Sequence, residues 1–209
     1  LCLAIDMSGS VCNGQLGGIC QDCGECQSGG NNLSICCNNF SNMLEFAQSL
    51  VSSLGELKTK QDFSVVHFGT DVSIASTLQN ANQARKMIKG LAYTGGLTNL
   101  AGAINSCQQT LNDSVPDRAN LMLILTDGAP SVPEFPADPA LEASNAANNA
   151  KDKGTFIIPI LIEDLGNQNA DEASYLKDEI SSDGNVFIAD FDGLSSLEDT
   201  VFEQVTCQA

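Results

Sequence analysis

Apolar positions along this 209-residue chain alternate between two periods, and the alternation predicts its elements. Residues 1–5 read as a short apolar strand. Residues 39–55 carry Phe40, Met43, Leu44, Ala47, Leu50, Val51 and Leu54 at helical spacing. Residues 62–68 and 71–78 are two β-rich runs around Gly69-Thr70-Asp71, the pattern of a hairpin. A helix is expected over 80–91. A Gly-rich loop at 94–99 then opens a helix with Leu100, Ile104, Cys107 and Leu111 on one stripe. Residues 120–126 form a strand ending in Thr126-Asp127-Gly128. Pro130, Pro133, Pro136 and Pro139 stiffen the irregular stretch that follows. Beyond it the pattern predicts a helix over 140–153 capped by Gly154, a strand at 155–162, a helix at about 170–181, a strand at 185–189 and a closing helix at 194–206.

Apart from the hairpin, the order is β-α-β-α. That order implies an α/β, doubly wound architecture, with a mainly parallel sheet and helices on both faces. Ligands of such folds bind at the carboxyl ends of the strands. Residues 11–37 break the pattern. They are rich in Gly, Asn and Cys, have little apolar content and no period, and are read as an insertion into a single domain spanning 1–209.

Composition narrows the functional classes. The net charge of −17 argues against nucleic acid and anionic membrane surfaces as partners. Residues 128–209 hold 16 acids against 3 bases and so carry −13 of it. The longest apolar runs, at 121–125 and 156–162, fall far short of the roughly 20 residues of a spanning helix, so no direct membrane insertion is expected. The first residues already read as a strand, which points to a mature fragment or excised module of a larger protein. Six of nine cysteines lie between Cys12 and Cys37, and sequons begin at Asn32, Asn39 and Asn112. Together they favour a secreted or cell-surface, disulfide-bonded glycoprotein.

The candidate chemistry falls at the predicted strand ends. Asp6-Met7-Ser8-Gly9-Ser10 directly follows the first strand, Thr98 lies in Tyr93-Thr94-Gly95-Gly96-Leu97-Thr98-Asn99, and Asp127 ends the strand at 120–126. Two carboxylates and three hydroxyls from three loops are hard oxygen donors. They suit a divalent cation in octahedral geometry, Mg²⁺ first, with Ca²⁺ and Mn²⁺ as alternatives. Such a site would keep a water that a partner's carboxylate can replace.

Asp-x-Ser-x-Ser, a distant Thr in a Gly-Gly-x-Thr loop, and Thr-Asp-Gly after an apolar strand resemble the metal-ion-dependent adhesion site of von Willebrand factor type A and integrin inserted domains. Val65-Val66-His67-Phe68-Gly69 looks like the family's second strand. Residues 170–180, followed by Gly184-Asn185-Val186-Phe187, look like its late helix and last strand. The resemblance spans about residues 1–10 and 38–206. It implies a Rossmann-like three-layer sandwich with a six-stranded sheet and one antiparallel edge strand. It also implies that Ser8, Ser10 and Thr98 contact the metal through hydroxyls while Asp6 and Asp127 act directly or through water. The implied partner is an extracellular protein, glycan or matrix ligand offering a carboxylate. The chain departs from the family where roughly 27 residues separate Ser10 from the first helix.

Two other functions compete. One is a matrix structural module that binds through the insertion. The other is a metal-dependent hydrolase, which lacks a general base beyond the ligands themselves. His67 is the lone histidine and reads as a strand residue, so a His-based triad has no parts. No Gly-x-x-x-x-Gly-Lys phosphate loop exists. The chain is therefore read as a non-enzyme. Cys20-x-x-Cys23-x-x-Cys26 has a metal-like spacing, but disulfides are the favoured reading in this context. The six insertion cysteines allow 15 connectivities. Cys2 and Cys207, at the chain ends, are expected to pair, leaving Cys107 a buried free thiol. Met43 and Met87 are expected in the core.

Overall fold

Period-two alternation in the apolar strands decides the layering. A computed structural model describes residues 1–12, 38–57, 61–112, 119–132, 137–163 and 170–208. Its six strands are β1 (Cys2–Asp6), β2 (Phe63–Phe68), β3 (Val72–Gln79), β4 (Asn120–Thr126), β5 (Thr155–Ile162) and β6 (Phe187–Ala189). They form one sheet in the order β3-β2-β1-β4-β5-β6. All neighbours are parallel except β2 and β3. This is the expected mainly parallel sheet with one antiparallel edge strand.

The helices are α1 (Asn38–Gly55), α2 (Ala81–Lys89), α3 (Leu100–Asn112), α4 (Pro139–Asp152), α5 (Ala170–Tyr175, continuing in a π turn, Leu176–Ile180) and α6 (Leu194–Gln208). Alternate residues of one strand serve opposite cores. Leu3 and Ile5 join Leu121, Leu123, Leu125 and the buried faces of α1, α2 and α6. Cys2 and Ala4 point the other way, to Met122, Ile124 and the buried faces of α3 and α4. The alanines Ala143, Ala147 and Ala150 give α4 the low profile its layer needs. Asp138 caps α4 by accepting from the amides of Ala140 and Leu141 at 3.0 and 3.2 Å, and Gly154 follows the helix at φ +82°.

The same alternation corrects the cysteine assignment. Cys2 is bonded to Cys107, not to Cys207. Cys107 lies in the apolar stripe of α3, as the spacing predicts, but it is not a free thiol. The proximity of chain ends was the wrong criterion. Cys2 faces the α3 side of the sheet, whereas α6 packs Val201 and Val205 against the opposite side and leaves Cys207 exposed. A central strand is thus tied to its covering helix. Met43 is buried as expected, but Met87 is 40% exposed, on the outer side of a helix whose Ala84 and Ile88 face inward. His67 is half-buried in β2 beside Ile5 and Ser73, and burial lowers its pKa. The Cys20, Cys23, Cys26, Cys36 and Cys37 pairings and the Asn32 sequon lie outside the described residues.

The bridge closes a loop of 105 residues and should contribute about 2–5 kcal/mol. Replacing both Cys2 and Cys107 by Ala is expected to lower the urea midpoint by that free energy divided by the denaturant slope. An unchanged midpoint would assign the stability to packing alone.

Candidate metal centre

The sheet order reverses between β1 and β4, and the loops at their carboxyl ends diverge there. This is the crevice position of doubly wound folds. Asp6 is the last residue of β1 and Asp127 directly follows β4. The backbone turns sharply after Asp6. The carboxylate accepts from the Ser8 amide through Oδ1 at 2.8 Å and from the Thr126 hydroxyl through Oδ2 at 2.6 Å. Asp6 and Ser8 are buried.

A hydroxyl chain links the two strand ends. Ser10 Oγ donates to Asp127 Oδ1 at 2.8 Å, and Ser8 Oγ lies 3.0 Å from Ser10 Oγ. The single proton of Ser10 is committed to Asp127, and the Ser8 hydroxyl faces two acceptors, Ser10 Oγ and the Asp6 carboxylate. Each serine hydroxyl therefore spends its proton within the chain and keeps oxygen lone pairs as donors for a cation.

Thr98 reaches the same edge through its backbone. Its loop docks on the first loop, with the Gly9 amide donating to the Gly96 carbonyl at 2.7 Å. On the other side the Thr98 amide donates to Ser131 Oγ at 2.8 Å, and its carbonyl accepts from the Ser131 amide at 2.9 Å. Two glycines permit this threading. Gly96 holds φ +94°, where a Cβ would also stand 2.5 Å from Thr70 Oγ1. A Cβ on Gly69 would lie 2.6 Å from the Gly95 carbonyl oxygen. The structure thus joins Asp6, Ser8, Ser10 and Asp127 directly, and seats Thr98 on the loop packed against them.

The electrostatics follow from burial. Desolvation raises the pKa of Asp6 from 3.8 to about 6, against the pull of its hydrogen bonds to Thr126 and Ser8. Asp127 is raised well above 3.8, first by desolvation and then by repulsion from Asp6. Among the described residues no Lys, Arg or His bonds to either carboxylate, and no group of three or more His, Cys, Asp or Glu is placed to hold a metal. The candidate set is instead two carboxylates plus hydroxyls. Its donor chemistry and its uncompensated negative charge fit a hard divalent cation.

Three residues of the site went unread in the sequence. Thr126 stands in the Thr-Asp-Gly motif at the end of its strand with no role assigned to it there, and it holds Asp6. Ser131 sits in the proline-rich stretch and gave no signal. Tyr93 was read as part of the Gly-rich loop, yet its hydroxyl donates to the Ser8 carbonyl at 2.9 Å.

The family profile of the von Willebrand factor type A domain matches residues 34–200. The match begins after Asp6, Ser8 and Ser10. No curated protein sequence matches. Among solved structures, the chain is similar to proximal thread matrix protein 1 of the mussel byssus, with a TM-score of 0.69 and 21% identity over 98% of this chain and 47% of that one. A second structure of that protein has a zinc-occupied metal-ion-dependent adhesion motif. The chain spans about half the length of these byssus structures. The von Willebrand domain of the type V pili tip protein Mfa5 of Porphyromonas gingivalis gives a TM-score of 0.71 at 14% identity, over 99% of this chain and 94% of that one. The manganese-loaded TRAP protein of Plasmodium vivax gives 0.61 at 17%, over 94% of this chain and 70% of that one. At these identities the likeness establishes the fold.

The raised Asp6 pKa sets a sign for stability. The folded, metal-free chain holds this proton more tightly than the unfolded chain. The associated stability is full below pH 3.8 and is lost as the pH rises through about 6. In EDTA, calorimetry from pH 4.5 to 7.5 should show a falling melting temperature, with a shallower fall in Asp6→Asn. Equal slopes in the two proteins would place the pH dependence elsewhere.

Proposed function

The chain belongs to the von Willebrand factor type A domain family, and on that premise we propose that it is a non-catalytic extracellular binding domain that engages its ligand through one divalent cation. Asp6, Ser8, Ser10, Thr98 and Asp127 hold that cation, Mg²⁺ first and Ca²⁺ or Mn²⁺ as alternatives. The observation that carries this reading is the continuous set of oxygens from Asp6 through Ser8 and Ser10 to Asp127, with hydroxyl protons already committed to acceptors within the set. The metal-loaded structures of the byssus protein and of TRAP support it by likeness of fold.

When bound, such a cation supplies a coordination position at which a partner's carboxylate replaces water. The chain's own residues do the rest. Asp6 and Asp127 provide charge, and the fixed loops keep the hydroxyl oxygens converged without reorganisation on binding. The ligand is an extracellular protein, glycan or matrix component presenting a carboxylate, and the domain is one module of a larger protein, with its cysteine-rich insertion at about residues 11–37.

A matrix role through the insertion is the second reading, favoured by one contact. Asn39 Nδ2 donates to the Val11 carbonyl at 3.0 Å, so the two ends of the insertion meet beside the site. The test replaces residues 13–37 by a short Gly-Ser linker and checks the fold by circular dichroism. If that replacement abolishes matrix binding at unchanged Mg²⁺ affinity, the insertion carries recognition.

For the principal reading, EDTA, Asp6→Ala and Thr98→Ala are each expected to reduce binding to immobilised matrix ligands at least about 100-fold, on the scale of losing a buried charged contact. Surface plasmon resonance measures this. Binding that survives all three changes would sink the cation mechanism.

A further inference from the structure

Tyr93, in the loop that carries Thr98, is buried. Its hydroxyl donates to the Ser8 carbonyl at 2.9 Å and lies 3.3 Å from the Gly9 carbonyl. Its ring stacks obliquely on Phe40, in the first turn of α1, with centroids 5.7 Å apart. The ring also lies beside Gly95, where an added Cβ would stand 3.6 Å from the tyrosine hydroxyl. One side chain of the Thr98 loop therefore touches both the loop of Ser8 and Ser10 and the start of α1.

The placement has a mechanical consequence. Between Asp6 and Ser10 the backbone must turn so that both serine hydroxyls converge on the Asp127 side. The Ser8 amide is fixed by Asp6 and the Gly9 amide by the Gly96 carbonyl. Tyr93 holds the carbonyl of Ser8, and with it the peptide plane between Ser8 and Gly9. A buried carbonyl that loses its partner must rotate or stay unsatisfied. Rotation of that plane would move Ser8 Oγ and Ser10 Oγ relative to each other.

We infer that Tyr93 is a positioning residue for the proposed cation site, acting on Ser8 and Ser10 through the Ser8 carbonyl and coupling that loop to the start of α1. This rests on the cation reading above, and the experiment separates the two. Mn²⁺ is titrated alone into the full chain by calorimetry, and its electron paramagnetic resonance spectrum is recorded when bound. Four proteins are compared: the parent chain, Tyr93→Phe, Phe40→Leu, and Ile104→Val as a destabilised control in the opposite core. The parent is expected to bind one Mn²⁺. Tyr93→Phe should weaken binding about tenfold and broaden the bound spectrum. Phe40→Leu, which keeps the hydroxyl but loses the ring contact, should weaken it two- to threefold. Ile104→Val should lower the melting temperature without changing Mn²⁺ affinity.

Unchanged affinity and spectrum in Tyr93→Phe would overturn the positioning role while leaving the cation site intact. An equal loss in Ile104→Val would also overturn it, since general destabilisation would then suffice. Should Tyr93→Phe fail to fold, Phe40→Leu decides alone, and parent-like affinity there would count against the inference. Absence of Mn²⁺ binding in the parent would overturn the cation reading itself.

Discussion

Two carboxylates at the ends of adjacent central strands, drawn out of water with no basic partner among the described residues, are the constraint on which this structure turns. Parallel pairing sets β1 beside β4 with Ile5 opposite Leu125, so Asp6 comes level with Thr126, one residue short of Asp127. The acids cannot separate without breaking the register of the sheet. Hydrogen bonds from Thr126, Ser8 and Ser10 offset part of the desolvation cost, and the raised pKa of both groups shows that part of it remains. A cation held between the two carboxylates, as proposed, would relieve that penalty.

Most of the surrounding architecture serves that edge. The two cores, on opposite faces of one sheet, fix the strands that deliver Asp6 and Asp127. The Cys2–Cys107 bridge ties β1 to α3, the helix that the Thr98 loop opens into. Gly69 and Gly96 let that loop pack against the β2–β3 turn at distances a Cβ would not tolerate. Fold and site are therefore one argument: the oxygens converge because the sheet order reverses between β1 and β4.

The fold was largely legible because apolar periodicity is a local signal. The hairpin was visible in Gly69-Thr70-Asp71, and the parallel strands in the wholly apolar run before Thr126. The candidate oxygens were legible because each sits in a short motif at a strand end. The Cys2–Cys107 bridge was not, since it depends on which sheet face α3 and α6 cover, a tertiary fact. The exposure of Met87 was missed because a nine-residue helix shows too few turns to place its apolar stripe. Thr126 and Tyr93 support the site through partners 120 and 85 residues away, which no window along the chain can see.

The most direct test of the central claim is anomalous diffraction from crystals grown with Mn²⁺. A single strong peak within coordinating distance of oxygens from Asp6, Ser8, Ser10, Thr98 and Asp127 is expected, and it should vanish in Asp127→Asn. No peak at that edge, or peaks confined to the acidic helix surfaces of the C-terminal half, would contradict it.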